Sequence, residues 1–211
     1  MPITWWGYIT YIGDGMIAGC ILAIVYRKNP HIALIGIIAV LISGIIVIIL
    51  KELFSIPRPA SIINQDQFFI FGDILLSRAF PSGHSSTAFS LFAVLIYNHH
   101  YNNKGGLFLL IALLIAFSRI AIGVHWPEDI LSGSMIGIIT AYLFSIRLKN
   151  FILGEKLELT IGIFLLLICI STLFYNPGLP NIQILQWGFG LGGISCLLSK
   201  FYSKYKSKLR F

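Results

Sequence analysis

Charge is scarce in this sequence. Asp, Glu, Lys and Arg supply 11% of its 211 residues, less than half of the roughly 25% carried by soluble domains. With 57% hydrophobic residues beside it, that scarcity excludes an ordinary water-soluble domain and leaves a polytopic membrane protein. Cysteine is scarce too. Cys20, Cys169 and Cys196 all fall inside apolar runs, so neither a disulfide framework nor a zinc site is expected. No Lys or Arg precedes Arg27. The basic n-region of a cleaved signal peptide is therefore missing, and the first apolar segment is expected to be retained. The basic residues do not gather in one patch, which argues against a nucleic-acid partner despite a net charge of +7.

What the chain does have is a series of apolar runs, at residues 5–26, 32–50, 84–98, 107–122, 127–146, 157–174 and 182–199. They predict an all-α fold, a polytopic transmembrane helical bundle of about seven spans with six possible, forming one domain over residues 1–211. Trp5, Trp6, Tyr8 and Tyr11 make an aromatic belt at one end of the first run. Asp14, between Gly13 and Gly15, interrupts that run. It either caps the spanning helix or faces a polar site from its rim. Pro57 and Pro59 forbid regular helix after the second run. Residues 60–83 then read as a long loop, whose Phe68-Phe69-Ile70-Phe71 is too short to span and is expected to anchor at the interface. Glycine pairs at four-residue spacing (Gly15 and Gly19, Gly133 and Gly137, Gly188 and Gly192) allow close helix packing. Lys200 to Phe211 reads as a basic tail against anionic headgroups.

Orientation follows from counting. With the N-terminus outside, the inner segments hold Arg27, Lys28, Lys104, Arg147, Lys149, Lys156, Lys200, Lys204, Lys206, Lys208 and Arg210, eleven of the fifteen basic residues. The positive-inside rule assigns that side, and the C-terminus with it, to the cytoplasm. Four cations are left on the other face: Lys51, Arg58, Arg78 and Arg119. Cations held against the topological bias imply an anionic ligand there.

Three stretches at that face carry the chemistry. Lys51 and Arg58-Pro59 come first, Pro81-Ser82-Gly83-His84 next, and Ser118-Arg119 with His125 and Asp129 last. Arginine offers a planar fork for two phosphate oxygens, and lysine a compact charge. Ser82 and Gly83 precede a helix start, where backbone N–H groups favour an anion. Pro127 fits the first position of a helix, which places Asp129 in its first turn and within reach of one ring nitrogen of His125. The other nitrogen is then free to attack phosphorus, and His84 to protonate the departing oxygen. A metal site built from His84, His125 and Asp129 is the competing chemistry, disfavoured because three cations would repel the metal.

These motifs resemble the type 2 phosphatidic acid phosphatase (PAP2) superfamily, whose patterns are Lys-x6-Arg-Pro, Pro-Ser-Gly-His and Ser-Arg-x5-His-x3-Asp. All three are complete here, in order and correctly spaced, between residues 51 and 129. The resemblance implies an integral-membrane, metal-independent phosphatase with no cofactor. Lys51, Arg58, Ser82, Gly83 and Arg119 would bind phosphate, with His84 as acid, His125 as nucleophile and Asp129 as its partner. It further implies a lipid phosphate substrate from the bilayer, lipid A phosphate or undecaprenyl pyrophosphate first among them. A bacterial inner membrane with the site on the periplasmic side is expected, and no obligate protein partner. A phosphotransferase using the same nucleophile, or a lipid-phosphate binder or transporter, is the alternative. Family members with six spans place three helices before the first motif and one after the third. Here the runs number two before and three after.

Overall fold

The structure is a computed structural model, and it describes residues 3–64, 70–98, 103–179 and 181–208. Among these residues there are nine helices and no strand. The first apolar run is broken. α1 (Ile3–Ile12) and α2 (Gly15–Lys28) meet at an angle of 60°, because Asp14 stays extended and its carboxylate accepts the Met16 N–H at 2.8 Å. That is the N-cap expected of a short acidic residue. α3 (Pro30–Phe54) begins on a proline, whose missing N–H is no loss at a helix start. Its 25 residues reach about 37 Å. A single turn, α4 (Pro59–Ile62), follows Pro57 and begins on Pro59, where a proline fits the first helical position.

α5 (Gly83–Tyr97), α6 (Gly105–Ala121) and α7 (Pro127–Arg147) form the centre with α3. α5 lies innermost, packed along α7 and against α3 and α6. Two glycines explain how closely α7 approaches. A Cβ on Gly133 would run into the carbonyl oxygen of Ser82, and one on Gly137 into that of Ser86. Deeper in the same seam, the Ser90 hydroxyl donates to that of Ser43 at 2.9 Å and lies 3.3 Å from that of Thr140. One polar knot thereby joins α3, α5 and α7 where no water is at hand.

A second group sets α2 against α8 (Glu155–Phe174) and α9 (Gln183–Lys208). Here the expected glycine pair gives way to another. Gly188 and Gly192 face open space, whereas Gly190 and Gly193 meet Leu173 and Cys169 of α8. Nor is Lys200 the start of a tail, because α9 continues as helix to Lys208. Residues 209–211 lie outside the described residues.

Eight helices thus occupy the seven apolar runs, with α1 and α2 sharing the first. By length and apolarity, however, only three among the described residues can cross a membrane unaided: α3 with α4, α7 and α8. The bent pair α1–α2 makes at most a fourth, and α6 is apolar but 17 residues long. α5 has 15 residues, about 22 Å of rise. It can be short and carry buried Ser85, Ser86 and Ser90 because its neighbours are other helices.

Candidate functional site

All three motif stretches arrive at one end of the bundle. Lys51 lies in the last turn of α3, His84 in the first turn of α5, Arg119 in the last turn of α6 and Asp129 in the first turn of α7. The loop from Ile122 to Trp126 carries His125 between the last two. His84 lies within electrostatic reach of Arg119, His125, Arg58 and Lys51. Every residue singled out in the three motifs therefore belongs to one cluster or to its immediate walls.

One contact is the one the four-residue spacing predicts. His125 Nδ1 lies 3.0 Å from Asp129 Oδ2, with the two residues 4% and 0% exposed. The same carboxylate oxygen accepts the Trp126 N–H at 2.9 Å. Asp129 is thus fixed from two sides. Burial holds His125 well below the usual imidazole range, and Arg119, Arg58 and Lys51 push in the same direction. The Ala79 carbonyl beside the ring works the other way. The balance is a neutral imidazole held at Nδ1 by Asp129.

The cations are anchored through backbone. Lys51 Nζ donates to the carbonyls of Arg78 and Ala79 at 2.6 and 3.2 Å. Arg58 donates from Nε to Ser77 at 3.0 Å, and from its two terminal nitrogens to Val124 at 3.0 Å and Arg78 at 3.4 Å. This guanidinium therefore ties the segment 77–79 to the loop that carries His125. The Trp126 indole donates to Pro57 at 3.0 Å and closes the same ring of contacts. Arg119 is 8% exposed, gives one terminal nitrogen to the Thr10 hydroxyl at 2.7 Å, and leaves Nε without a partner among the described residues. Thr10 on α1 is a member that the motifs do not contain. Arg78, the fourth cation of this face, pairs with Glu52 at 3.0 Å where both are exposed.

Ser82 departs from the expected use of its backbone. Its N–H donates to the Asp129 carbonyl at 2.9 Å, and its hydroxyl accepts from Ser85 as the cap of α5. Gly83 is the first helical residue, and a Cβ there would meet only Val47, at 3.8 Å. Among the described residues no neighbour demands glycine at this position, and a helix start without a side chain leaves its backbone open to close approach.

A cavity of about 160 Å³ opens beside His84 and Arg119. Asp14 and Tyr11 line it from the α1–α2 junction, Phe71 and Asp73 from the long loop, and Tyr175 to Leu179 from the α8–α9 connection. Asp14 is the helix cap, and it also lines this cavity. It caps α2 with one oxygen, and the other accepts from Tyr175 at 3.4 Å inside the cavity wall. The loop anchor is corrected in part. Phe71 folds inward, its N–H donating to Ile122 at 3.2 Å and its ring packed on Gly7. Phe68 and Phe69 lie outside the described residues. Among the described residues, no group of three or more His, Cys, Asp or Glu is placed to hold a metal ion.

This chain belongs to the PAP2 superfamily, which it matches over residues 32–152. It is 37% identical over 67 residues to the undecaprenyl-diphosphatase BcrC of Bacillus subtilis, covering 31% of this chain and 33% of that one. It is 28% identical over 115 residues to a lipid A 1-phosphatase of Rhizobium johnstonii, covering 50% and 45%. The matched stretches thus span about a third to a half of these curated relatives. The crystal structure of LpxE from Aquifex aeolicus superposes with a TM-score of 0.59 at 30% identity, over 68% of this chain and 86% of that one. α1, α2, α8 and α9 all lie outside the segment that carries the family match.

Proposed function

We propose that this protein is a membrane lipid phosphatase that cleaves a phosphate ester or pyrophosphate of an envelope lipid through a phosphohistidine. The observation that carries the reading is the buried His125–Asp129 pair, 3.0 Å apart, among three cations at one end of the bundle. Asp129 holds Nδ1 and stabilises positive charge on the ring, so Nε2 is the nucleophile. The Nε2 lone pair attacks phosphorus in line, and the bond from phosphorus to the lipid oxygen breaks. His84, at the start of α5, takes up a proton once the negative charge of the bound phosphate offsets the surrounding cations, and gives it to that oxygen. Lys51, Arg58 and Arg119 balance the negative charge on the equatorial oxygens, together with the Gly83 end of the helix. Water then attacks the phosphohistidine, His84 takes back a proton, and the P–N bond breaks to release phosphate and free His125.

The names of the relatives support lipid A phosphate or undecaprenyl pyrophosphate as substrate. The four cations against the charge bias support a periplasmic site in a bacterial inner membrane, with α9 ending in the cytoplasm. No cofactor is required by this chemistry, and no protein partner. The test is phosphate release from a panel of lipid phosphates by purified protein in detergent with EDTA, wild type against His125→Ala. Release by wild type that disappears in the variant is the expected result. Release that survives in the variant would remove His125 as nucleophile, and loss of wild-type activity in EDTA would restore the metal reading. Transfer of phosphate to a second lipid without free phosphate would convert the assignment to a phosphotransferase.

A further inference from the structure

The cavity beside His84 and Arg119 has two electrically opposite walls, and Asp14 and Tyr175 of the acidic wall come from parts of the chain outside the family segment. Arg119 is nine-tenths buried, lines the cavity, and keeps Nε without a partner among the described residues. A buried guanidinium with an unused N–H points to an anion at that wall. Facing the same space is Asp14, 9% exposed. One of its oxygens is committed to capping α2. The other has the Tyr175 hydroxyl as its partner at 3.4 Å, a long contact that leaves acceptor capacity to spare. Asp73 adds a second carboxylate to the lining, packed onto the Gly178 backbone.

A phosphate drawn to the Arg119 wall must carry its organic remainder somewhere, and the polar side chains in the rest of this cavity's lining are Asp14, Asp73 and the tyrosines Tyr11 and Tyr175, beside His84. Building on the proposed phosphatase reading, we infer that Asp14 and Tyr175 select the group to which the phosphate is attached, and that they select for a hydroxylated sugar over a second phosphate. Asp14 accepts a hydrogen bond from a hydroxyl or amide of such a group, and Tyr175 holds the carboxylate in place and offers its own oxygen. In a lipid diphosphate the leaving group is itself a phosphate. Its charge would then sit beside the Asp14 carboxylate in a site with little water, where like charges repel strongly. The preferred substrate is thus a glycolipid with its phosphate on the sugar ring.

The test compares kcat/KM for lipid A and for undecaprenyl diphosphate in the same detergent, using wild type, Asp14→Asn and Tyr175→Phe. Asparagine is as good an N-cap as aspartate, so α2 keeps its start and the substitution changes charge at nearly constant shape. Wild type is expected to prefer lipid A. Asp14→Asn is expected to shift the ratio towards the diphosphate by roughly tenfold or more, the scale of one charge-assisted hydrogen bond. Tyr175→Phe shifts it in the same direction by less. A wild-type preference for the diphosphate, or a ratio unmoved by Asp14→Asn, overturns the inference while leaving the phosphatase reading intact. Equal loss on both substrates also overturns it and reduces Asp14 to a helix cap. No phosphate release by wild type from either lipid overturns the phosphatase reading and this inference with it.

Discussion

The Asp129 carboxylate does two things with one oxygen, and Asp129→Asn separates them. Oδ2 accepts from His125 Nδ1 at 3.0 Å and from the Trp126 N–H at 2.9 Å, while Oδ1 has no partner among the described residues. An asparagine can therefore put its carbonyl oxygen where Oδ2 is and its NH₂ where Oδ1 is. Both hydrogen bonds persist, and only the charge is lost. In the proposed mechanism the loss is felt when the ring becomes positive on attacking phosphorus. Losing the charge assistance of one hydrogen bond removes about 1.5 kcal/mol. Full Coulomb attraction at 3.0 Å and an effective dielectric of about 20 is worth about 5.5 kcal/mol. The rate of phosphohistidine formation should therefore fall between roughly tenfold and ten-thousandfold, with a change of about a hundredfold as the central expectation. Asp129→Ala removes the shape as well and strands the Trp126 N–H, which adds about 1–3 kcal/mol of lost stability. The assay is single-turnover phosphate release in detergent, beside thermal unfolding of each variant. An Asn variant that matches wild type would refute the electrostatic role. Asn and Ala variants equal in both rate and stability would refute the separation of charge from geometry.

Two further outcomes follow from the same packing. The neutral state of His125, whose folded value is held low by burial and by three cations, makes the unfolded chain bind more protons once pH drops below about 6.5. Its contribution to stability is then unaffected above that pH and turns unfavourable below it; histidine NMR of the empty protein, assigned with His125→Ala, should show a neutral His125 ring at pH about 6. A ring that protonates above pH about 6.5 would contradict this assignment. Gly133→Ala drives a methyl group into the Ser82 carbonyl at the α5–α7 seam, so a loss of about 1–3 kcal/mol is expected, seen as a lower unfolding temperature together with reduced phosphate release. Gly188→Ala, facing open space on α9, should leave the unfolding temperature unchanged or raise it, and a loss equal to that of Gly133→Ala would refute the packing assignment.

Hydropathy located the helices but not their relations, because a transfer scale senses only how a segment would sit in hydrocarbon. α5 shows the difference. Its serines make it a weak spanning segment by composition, yet it is the helix that the others surround, and Ser90 is satisfied by Ser43 and Thr140. The glycine spacing in α9 failed for a related reason. Four-residue periodicity names pairs that share a face, but not which face meets a neighbour, and the face that packs on α8 carries Gly190 and Gly193. The site was far more legible. His125 and Asp129 contact each other because a helix start fixes their spacing, and Pro127 marks that start in the sequence. Thr10 carried no signal, since an isolated threonine in an aromatic run becomes a partner of Arg119 only once α1 folds against α6. The bend at Asp14 is the most informative of these cases. A charged residue between two glycines read more readily as a cap than as a site residue. Because the first helix breaks there by 60°, one carboxylate serves both ends of that choice, with one oxygen in the helix and the other in the cavity. The fold thus turns a helix-capping requirement into a charged wall opposite Arg119, and it does so with a residue that lies before the family segment begins.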